Sequence, residues 1–348
     1  MDDLGDRYAR LVAAFGAEER SAVDLDRLAT EADELAATAE SSWLRVQARA
    51  LAGAARAVSG AEPEFETVVD ASAPPVDETA IERLEELLPG GESLVDRLAA
   101  HDRAMRLPPD VLWSTAQRLI DLLRQRAAED LELPAEHQVW LQVVEGPGMA
   151  WRARLDSSTP PARLVLNGSG AWTADRLTRA ISAFAYPGTH LARLMRPPAA
   201  EWSPSPETTV DSGLAAVGRE ILLADHELAH ELERIGRGAG FSWDGNRIVA
   251  VRRALEDLAP SYAAAAIDGE GDTRRRLASL GADRRAAEAL VEAWRDPLGR
   301  AMALARAAGP PLVRAWLVET GQTTGLRRLL TERLVPTMLR AEIPNARN

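Results

Sequence analysis

Residues 183–190 of the chain read AFAYPGTH, and this stretch decides how the middle of the chain folds. The preceding segment, Thr173–Tyr186, has helical spacing, and Thr173 belongs to the residue types that cap helix N-termini. Pro187-Gly188 interrupts that helix, because proline lacks an amide hydrogen and glycine leaves the backbone unrestricted. A further helix is expected from His190 to Met195. The sequence therefore predicts two helices joined by a tight break.

On the N-terminal side of this stretch the apolar pattern changes to that of β-strands. The segment 137–144 reads HQVWLQVV and is followed by the turn sequence EGPG at 145–148. Segments 151–155 and 163–166 have similar character and could pair with the first one. We therefore expect a small β hairpin or sheet directly before the predicted helix.

Helical spacing dominates the rest of the chain. Residues 1–60 carry apolar stripes, and 61–77, rich in proline and small residues, form an expected connector. Further helices are expected at 78–88, 93–105, 108–130, 208–236, 246–267, 271–279, 282–308, 310–319 and 322–331. The predicted fold class is mostly α with a small β element. We expect an N-terminal helical segment with its connector (1–77) and a helical domain (78–348), in one continuous structural unit.

Composition excludes several functional classes. The net charge of -12 argues against a nucleic-acid or anionic-membrane partner, and the absence of cysteine excludes thiolate chemistry. Lysine is also absent, so all 41 basic residues are arginine and lysine-based catalysis is excluded. The exclusive use of arginine as the basic residue indicates GC-biased codon usage, and therefore a high-GC bacterium as the source. The start of the chain lacks the apolar core of a signal peptide, and we expect a cytoplasmic protein.

Several features in the same order resemble a bacterial family of helical zinc-metallopeptidase-like proteins, which is classed as a domain of unknown function. They lie at Phe65–Asp77, Leu87–Gly90, Leu164–Asn167, Ala185–Gly188, Ser205-Pro206-Glu207, Gly213-Leu214-Ala215 and Gly325–Leu339. The resemblance implies a large helical zincin-like domain, related to the gluzincins. In the family the stretch at 183–190 has the form H-E-x-Y-P-G-H-H and binds zinc.

Residues 183–190 lack the metal-binding residues of that family motif. The resemblance implies a zinc-binding histidine at Ala183, the water-polarising glutamate at Phe184, a second histidine at Thr189 and a later glutamate at Ser212. Alanine and phenylalanine offer no lone pair, and hydroxyl groups bind zinc weakly compared with imidazole or carboxylate. We therefore expect a scaffold that has lost its zinc site and binds no metal cofactor.

The former active-site cleft could serve metal-free chemistry or binding. A histidine near a carboxylate can act as a general acid or base close to neutral pH. The candidate catalytic residues are Tyr186, His190 and Asp211. The candidate ligand-binding residues are Phe184, Arg152, Arg154, Glu207 and Trp202. Each of them also has an ordinary structural interpretation, as a packed ring, a helix cap or a solvent-exposed charge.

A second zinc-like string, HELAH, lies at His226–His230. Histidines four residues apart share a helix face and can bind one metal ion, with the intervening glutamate as base. The alternative site thus contains His226, His230 and the downstream Glu256 as ligands, with Glu227 as the base. The apolar positions of this helix point away from both histidines, which predicts that the pair faces solvent.

Three functional hypotheses follow from the sequence. The first is a non-peptidase protein of metallopeptidase-like scaffold, with a cleft for a small molecule or a peptide. The second is a zinc-dependent hydrolase that uses the HELAH string. The third is a structural or interaction protein.

Overall fold

The computed structural model describes residues 3–16, 24–61, 64–91, 93–134, 136–146, 152–157, 161–268 and 273–344. Most of these residues are helical, and one small sheet accompanies the helices, so the predicted mostly α fold class is confirmed. Among the described residues, no helix combines the length and the apolar character needed to cross a membrane.

The elements follow one another along the chain without internal repetition. The helices before the sheet are α1 (Asp3–Phe15), α2 (Leu25–Thr38), α3 (Ser42–Ser59), α4 (Phe65–Val69), α5 (Ala80–Leu87), α6 (Leu94–Ala104) and α7 (Pro109–Asp130). The strands are β1 (Val139–Val144), β2 (Ala153–Asp156) and β3 (Ala162–Asn167). The later helices are α8 (Ala174–Phe184), α9 (Thr189–Met195), α10 (Pro206–Leu222), α11 (Asp225–Gly238), α12 (Gly245–Asp257), α13 (Ala259–Asp268), α14 (Thr273–Ser279), α15 (Arg284–Ala293), α16 (Pro297–Thr320), α17 (Gln322–Thr331) and α18 (Pro336–Glu342).

The sheet has strand order β1-β3-β2. β2 and β3 form an antiparallel pair, whereas β1 runs parallel to β3, with Val139 opposite Ala162 and Val144 opposite Asn167. Residues Leu164 and Leu166 of the central strand are fully buried and join the main core. The sheet thus packs against the core that also contains α8, the helix that leads into residues 183–190.

Besides two smaller apolar clusters around α5 and α12 and around α13–α15, two apolar clusters contain most of the buried side chains. The larger one contains the inward faces of α7, α8, α10, α11 and α17 together with the sheet. The other joins the N-terminal helices α1–α4 to the first half of α16, and includes Tyr8, Phe15 and Leu51. Because α16 contributes to both clusters, it connects the N-terminal helices to the rest of the protein.

α10 and α16 cross at two glycines. A Cβ atom on Gly309 would lie 2.1 Å from the Thr209 carbonyl oxygen, and one on Gly213 would lie 2.6 Å from the Gly309 carbonyl oxygen. Both contacts involve backbone, so only glycine permits this approach. The crossing fixes the position of α10, which also packs against α8.

Several predicted boundaries are wrong. The expected helix 208–236 is two helices, α10 and α11, because the chain is extended at Leu223 and Ala224. α16 continues through Pro310-Pro311, where we expected a break; its packing against α10 outweighs the missing amide hydrogens. The expected connector contains the short helix α4, whose Phe65 and Val69 are buried against the N-terminal core.

Candidate functional site

The break after α8 has the tight form that the sequence predicts. A Cβ atom at Gly188 would lie 2.0 Å from the Ala183 carbonyl oxygen, so a side chain cannot be accommodated there. The Thr189 hydroxyl donates to the same carbonyl oxygen at 3.1 Å. Thr173 occupies the N-cap position of α8, although its hydroxyl donates to the Asp175 carboxylate rather than capping the helix. The interruption is thus held by backbone packing and one hydroxyl group.

Tyr186 and His190 converge on one backbone carbonyl group. The Tyr186 hydroxyl donates to the His137 oxygen at 2.6 Å, and His190 Nε2 donates to it at 2.9 Å. Both side chains are buried. Burial raises the pKa of Tyr186 to about 12 and lowers the pKa of His190. These two groups therefore hold the segment before β1 against the break between α8 and α9.

The predicted acidic residues Asp211 and Glu207 lie one turn apart on α10 and each has an arginine partner. Asp211 Oδ1 accepts from Arg196 at 2.7 Å, and Glu207 Oε2 accepts from Arg333 at 3.1 Å. Burial raises the pKa of Glu207 despite its partner. Within the described part of the chain, no hydrogen bond or ion pair joins Asp211 to His190. The structure thus brings the two acids together, but not with the histidine.

The other predicted ligand-binding residues are dispersed. Phe184 is partly buried and packs against the main core. Trp202 donates from Nε1 to the Tyr8 hydroxyl at 3.0 Å and joins the N-terminal core instead. Arg152 and Arg154 are exposed beside and on β2. None of these four residues lines either of the two clefts described below.

The HELAH string forms part of α11, and the predicted exposure of its histidines is confirmed: the His230 side chain is 80% exposed. Glu227 pairs with Arg126 at 2.6 Å and accepts from the Ala224 amide at the helix start. Glu256 is bound by Arg252 at 2.8 Å.

Within the described ranges, no group of three or more His, Cys, Asp or Glu residues could hold a metal ion. His226, His230 and Glu256 are therefore not brought together as a three-ligand group in the described structure. The histidines point to solvent on α11, while Glu256 lies on α12 in an ion pair.

A narrow cleft, which we call the arginine cleft, lies between α8, α10, α11 and α12. One face of α8 contributes Asp175, Thr178, Arg179 and Ser182, and the facing helices contribute Ala216, Arg219, Leu228, Leu232, Val249, Arg252, Arg253 and Glu256. Its water-accessible space is about 20 Å³, enough for a single water molecule. The cleft is close to two positions singled out in the sequence: Arg179 lies one turn before Ala183, and Ala216 one turn after Ser212.

The arginines that face α8 across this cleft are held by carboxylates. Arg252 pairs with Glu256 at 2.8 Å, and Arg253 pairs with Asp225 at 2.8 Å and with Glu220 at 3.1 Å. Arg219 also lies near Asp225, at 3.3 Å. Their guanidinium groups are therefore fixed in place and largely neutralised.

Arg179 differs from these arginines. Its guanidinium forms no salt bridge with any described carboxylate, although Asp175 and Glu256 are near enough to influence its charge. The Arg179 side chain is exposed to solvent, although the helices that line the cleft partly desolvate its guanidinium. This burial, together with the charge of Arg252, lowers the pKa of Arg179 to about 10. Among the described residues, Arg179 is thus the arginine of this cleft that has no ion-pair partner.

Sequence reasoning missed this cleft. An arginine in the amphipathic pattern of α8 resembles any solvent-exposed charge, and its neighbours from other helices, Ala216 to Glu256, come 37 to 77 positions later (216 − 179 and 256 − 179). A signal was nevertheless present: Asp175, Thr178, Arg179 and Ser182 recur at helical spacing on one polar face directly before the AFAYPGTH stretch.

No family model matches the chain, and no curated protein matches its sequence. In structure, the chain is similar to the crystal structure of a candidate lipoprotein from Colwellia psychrerythraea, with a TM-score of 0.50 and 13% sequence identity. The match covers 89% of this chain and 53% of that one, so the chain spans about half the length of that protein. At this identity the similarity concerns the fold alone.

Proposed function

We propose that the protein is a non-peptidase member of the metallopeptidase-like family that it resembles, and that its arginine cleft binds the anionic head of a small molecule without a metal ion. The observation that carries the proposal is Arg179, a guanidinium that lines this cleft without a described carboxylate partner while the other arginines of the cleft are paired. The ligand would carry a carboxylate or a phosphate group.

The residues at the family's zinc positions support the loss of peptidase chemistry. Ala183 and Phe184 supply neither a ligand nor a base, and Phe184 packs against the core. The nearest candidate acid–base groups, Tyr186 and His190, are both bonded to the His137 carbonyl oxygen. A hydrolytic water would therefore lack both its metal and its general base at this place.

The electrostatics of Arg179 favour an anionic ligand. Burial disfavours the charged form of a guanidinium, and a bound anion offsets this unfavourable desolvation. The planar group offers paired donors that match the oxygens of a carboxylate or phosphate. Because Arg252 and Arg253 are held in place and neutralised by their own carboxylates, Arg179 is the donor that this cleft leaves for an anion.

The dimensions of the cleft limit what can enter. Space for about one water molecule admits only the oxygens of an anionic head, while the body of the ligand stays outside. Arg179 is exposed, so it can meet the anion from the solvent side. We therefore expect recognition of a charged end group rather than enclosure of a whole molecule.

NMR titration of the full chain tests the proposal. The arginine Nε–Hε signal that disappears in Arg179→Gln is assigned to Arg179, and phosphate and succinate are then added in separate titrations at constant ionic strength. We expect a saturable shift of this signal with at least one anion, and the stronger of the two identifies the head group. The matched control Arg285→Gln removes an exposed arginine of α15.

Two outcomes would contradict the proposal. One is the absence of a saturable shift of the Arg179 signal with either anion. The other is an equal loss of binding in Arg285→Gln, which would indicate general surface charge. Separately, zinc-dependent cleavage of a peptide mixture that is lost in His226→Ala would favour the hydrolase hypothesis instead.

A further inference from the structure

A second and larger cavity lies between α3, the segment that contains α4, and α18. It shares no lining residue with the arginine cleft. Its space of about 490 Å³ falls within the range of small-molecule sites, unlike that of the arginine cleft. α3 contributes Ser42, Arg45 and Arg49 to its wall, the α4 segment contributes Glu66, Thr67, Asp70 and Ser72, and α18 contributes Thr337 and Arg340. We call it the α3–α18 cavity.

One side of the cavity is fixed by Asp70. This residue has a left-handed backbone conformation, with φ 51°, which aspartate tolerates better than most side chains. Its carboxylate accepts from the Thr337 amide at 2.7 Å, the Thr337 hydroxyl at 2.6 Å and Arg340 at 2.9 Å. These contacts connect two segments that are distant in sequence, so the wall exists without any ligand.

The opposite side presents two arginines on one face of α3. Arg45 donates to the Ala39 carbonyl oxygen from Nε at 3.2 Å and from Nη2 at 2.9 Å. Its Nη2 group also donates to the backbone carbonyl oxygen of Glu40 at 3.3 Å. These bonds fix the guanidinium of Arg45, and its Nη1 group has no described partner. Arg49 lies one turn further along α3, and its side chain has no hydrogen bond or ion pair with a described residue.

This arrangement of charge is unfavourable without a ligand. Two like charges four residues apart on a helix destabilise it, and no described carboxylate pairs with either arginine. The cavity contains three arginines but only two carboxylates, of which Asp70 is already bound to Arg340. A local excess of positive charge in a chain of net charge -12 indicates a site for an anion.

We propose that the α3–α18 cavity binds a small phosphate-bearing, hydroxyl-rich metabolite, with the phosphate between Arg45 and Arg49. Guanidinium groups bind phosphate oxygens in pairs, and Arg45 is already held in place for this role. The hydroxyl groups of the ligand would face Ser42 and Glu66, whose carboxylate has no described partner and accepts hydrogen bonds. The phosphate would contact the two unpaired arginines directly, while Glu66 would accept from the hydroxyl groups of the ligand.

Calorimetric titration of the full chain with ribose 5-phosphate, ribose and succinate tests the inference. We expect saturable binding of ribose 5-phosphate and none of ribose at equal concentration. Arg49→Gln should weaken this binding by about tenfold or more, since it removes a charged hydrogen-bond donor. Arg49 is exposed and makes no described contacts through its guanidinium, so this variant is expected to fold normally.

The matched control is Arg10→Gln, which removes an exposed arginine of α1 in the same N-terminal group of helices. Unchanged affinity in this variant would support a specific site. Three results would overturn the inference: no saturable binding of ribose 5-phosphate, equal weakening in both variants, or binding of succinate in preference to the phosphate ester. Arg179→Gln should leave this binding unchanged, so the two anion sites can be tested independently.

Discussion

The crossing of α10 and α16 allows a stability prediction with a definite sign. In Gly309→Ala, the new methyl carbon would lie 2.1 Å from the Thr209 carbonyl oxygen and 2.8 Å from the Gly213 amide nitrogen. Both atoms belong to the backbone of α10, so no side chain can rotate out of the way. The helices would have to separate by about 1 Å to restore ordinary van der Waals contact.

The magnitude follows from opposing terms. Overpacking a well-packed contact costs about 1–3 kcal/mol, and the residue before a proline resists the helical conformation when it carries a Cβ atom. Alanine gains about 1 kcal/mol over glycine in helix propensity. Because the clash involves backbone and Pro310 follows directly, we expect Gly309→Ala to lower the free energy of unfolding by about 2 kcal/mol.

The assay is urea denaturation followed by far-ultraviolet circular dichroism. Gly238→Ala is the matched control, because Gly238 lies at the end of α11 with no atom within 4 Å of the added carbon. That substitution should leave stability unchanged or raise it by up to about 1 kcal/mol. A Gly309→Ala protein as stable as the parent would refute the close crossing of α10 and α16.

Three further predictions concern the interior contacts and the HELAH string. Burial lowers the pKa of His190, so below about pH 6.5 the unfolded chain binds a proton that the folded chain does not. The free energy of unfolding, measured by urea denaturation, should therefore fall as the pH decreases towards about 5. It should fall less in His190→Gln. Asp70→Ala should destabilise the protein by about 1–3 kcal/mol and accelerate hydrogen exchange in α18, since it removes a cap and the partner of Arg340. Elemental mass spectrometry after dialysis against zinc should find no stoichiometric zinc that depends on His226 or His230.

Each of these has a contradicting result. Equal pH dependence in the parent and in His190→Gln would assign the acid sensitivity to other groups, such as His101, whose pKa burial also lowers. Unchanged exchange in α18 of Asp70→Ala would show that the helix does not depend on that carboxylate. One zinc ion per chain that is lost in His226→Ala would restore the hydrolase hypothesis.

Local periodicity predicted most of the helices because an amphipathic helix repeats its apolar face within a few residues. The same argument predicted the outward position of His230 and the small sheet near residues 137–166. It did not predict that β1 and β3 run parallel, because strand pairing depends on how the intervening chain returns. It also failed at Pro310, where packing between distant helices outweighs the local preference of proline.

For the candidate site too, some features follow from the sequence and others only from the tertiary structure. The sequence alone determined that Ala183 and Phe184 offer no lone pair and that Thr189 offers only a hydroxyl group, since the chemical identity of a side chain fixes whether it can bind a metal. Only the tertiary structure decided that Tyr186 and His190 share one carbonyl group.

The tertiary structure likewise decided which charges are paired. Asp211 pairs with Arg196, 15 positions away, whereas Arg179 meets α12 without gaining a described carboxylate partner. An isolated sequence gives every arginine the same charge, and the helices that surround each one determine whether that charge is neutralised, hydrated or left available to a ligand.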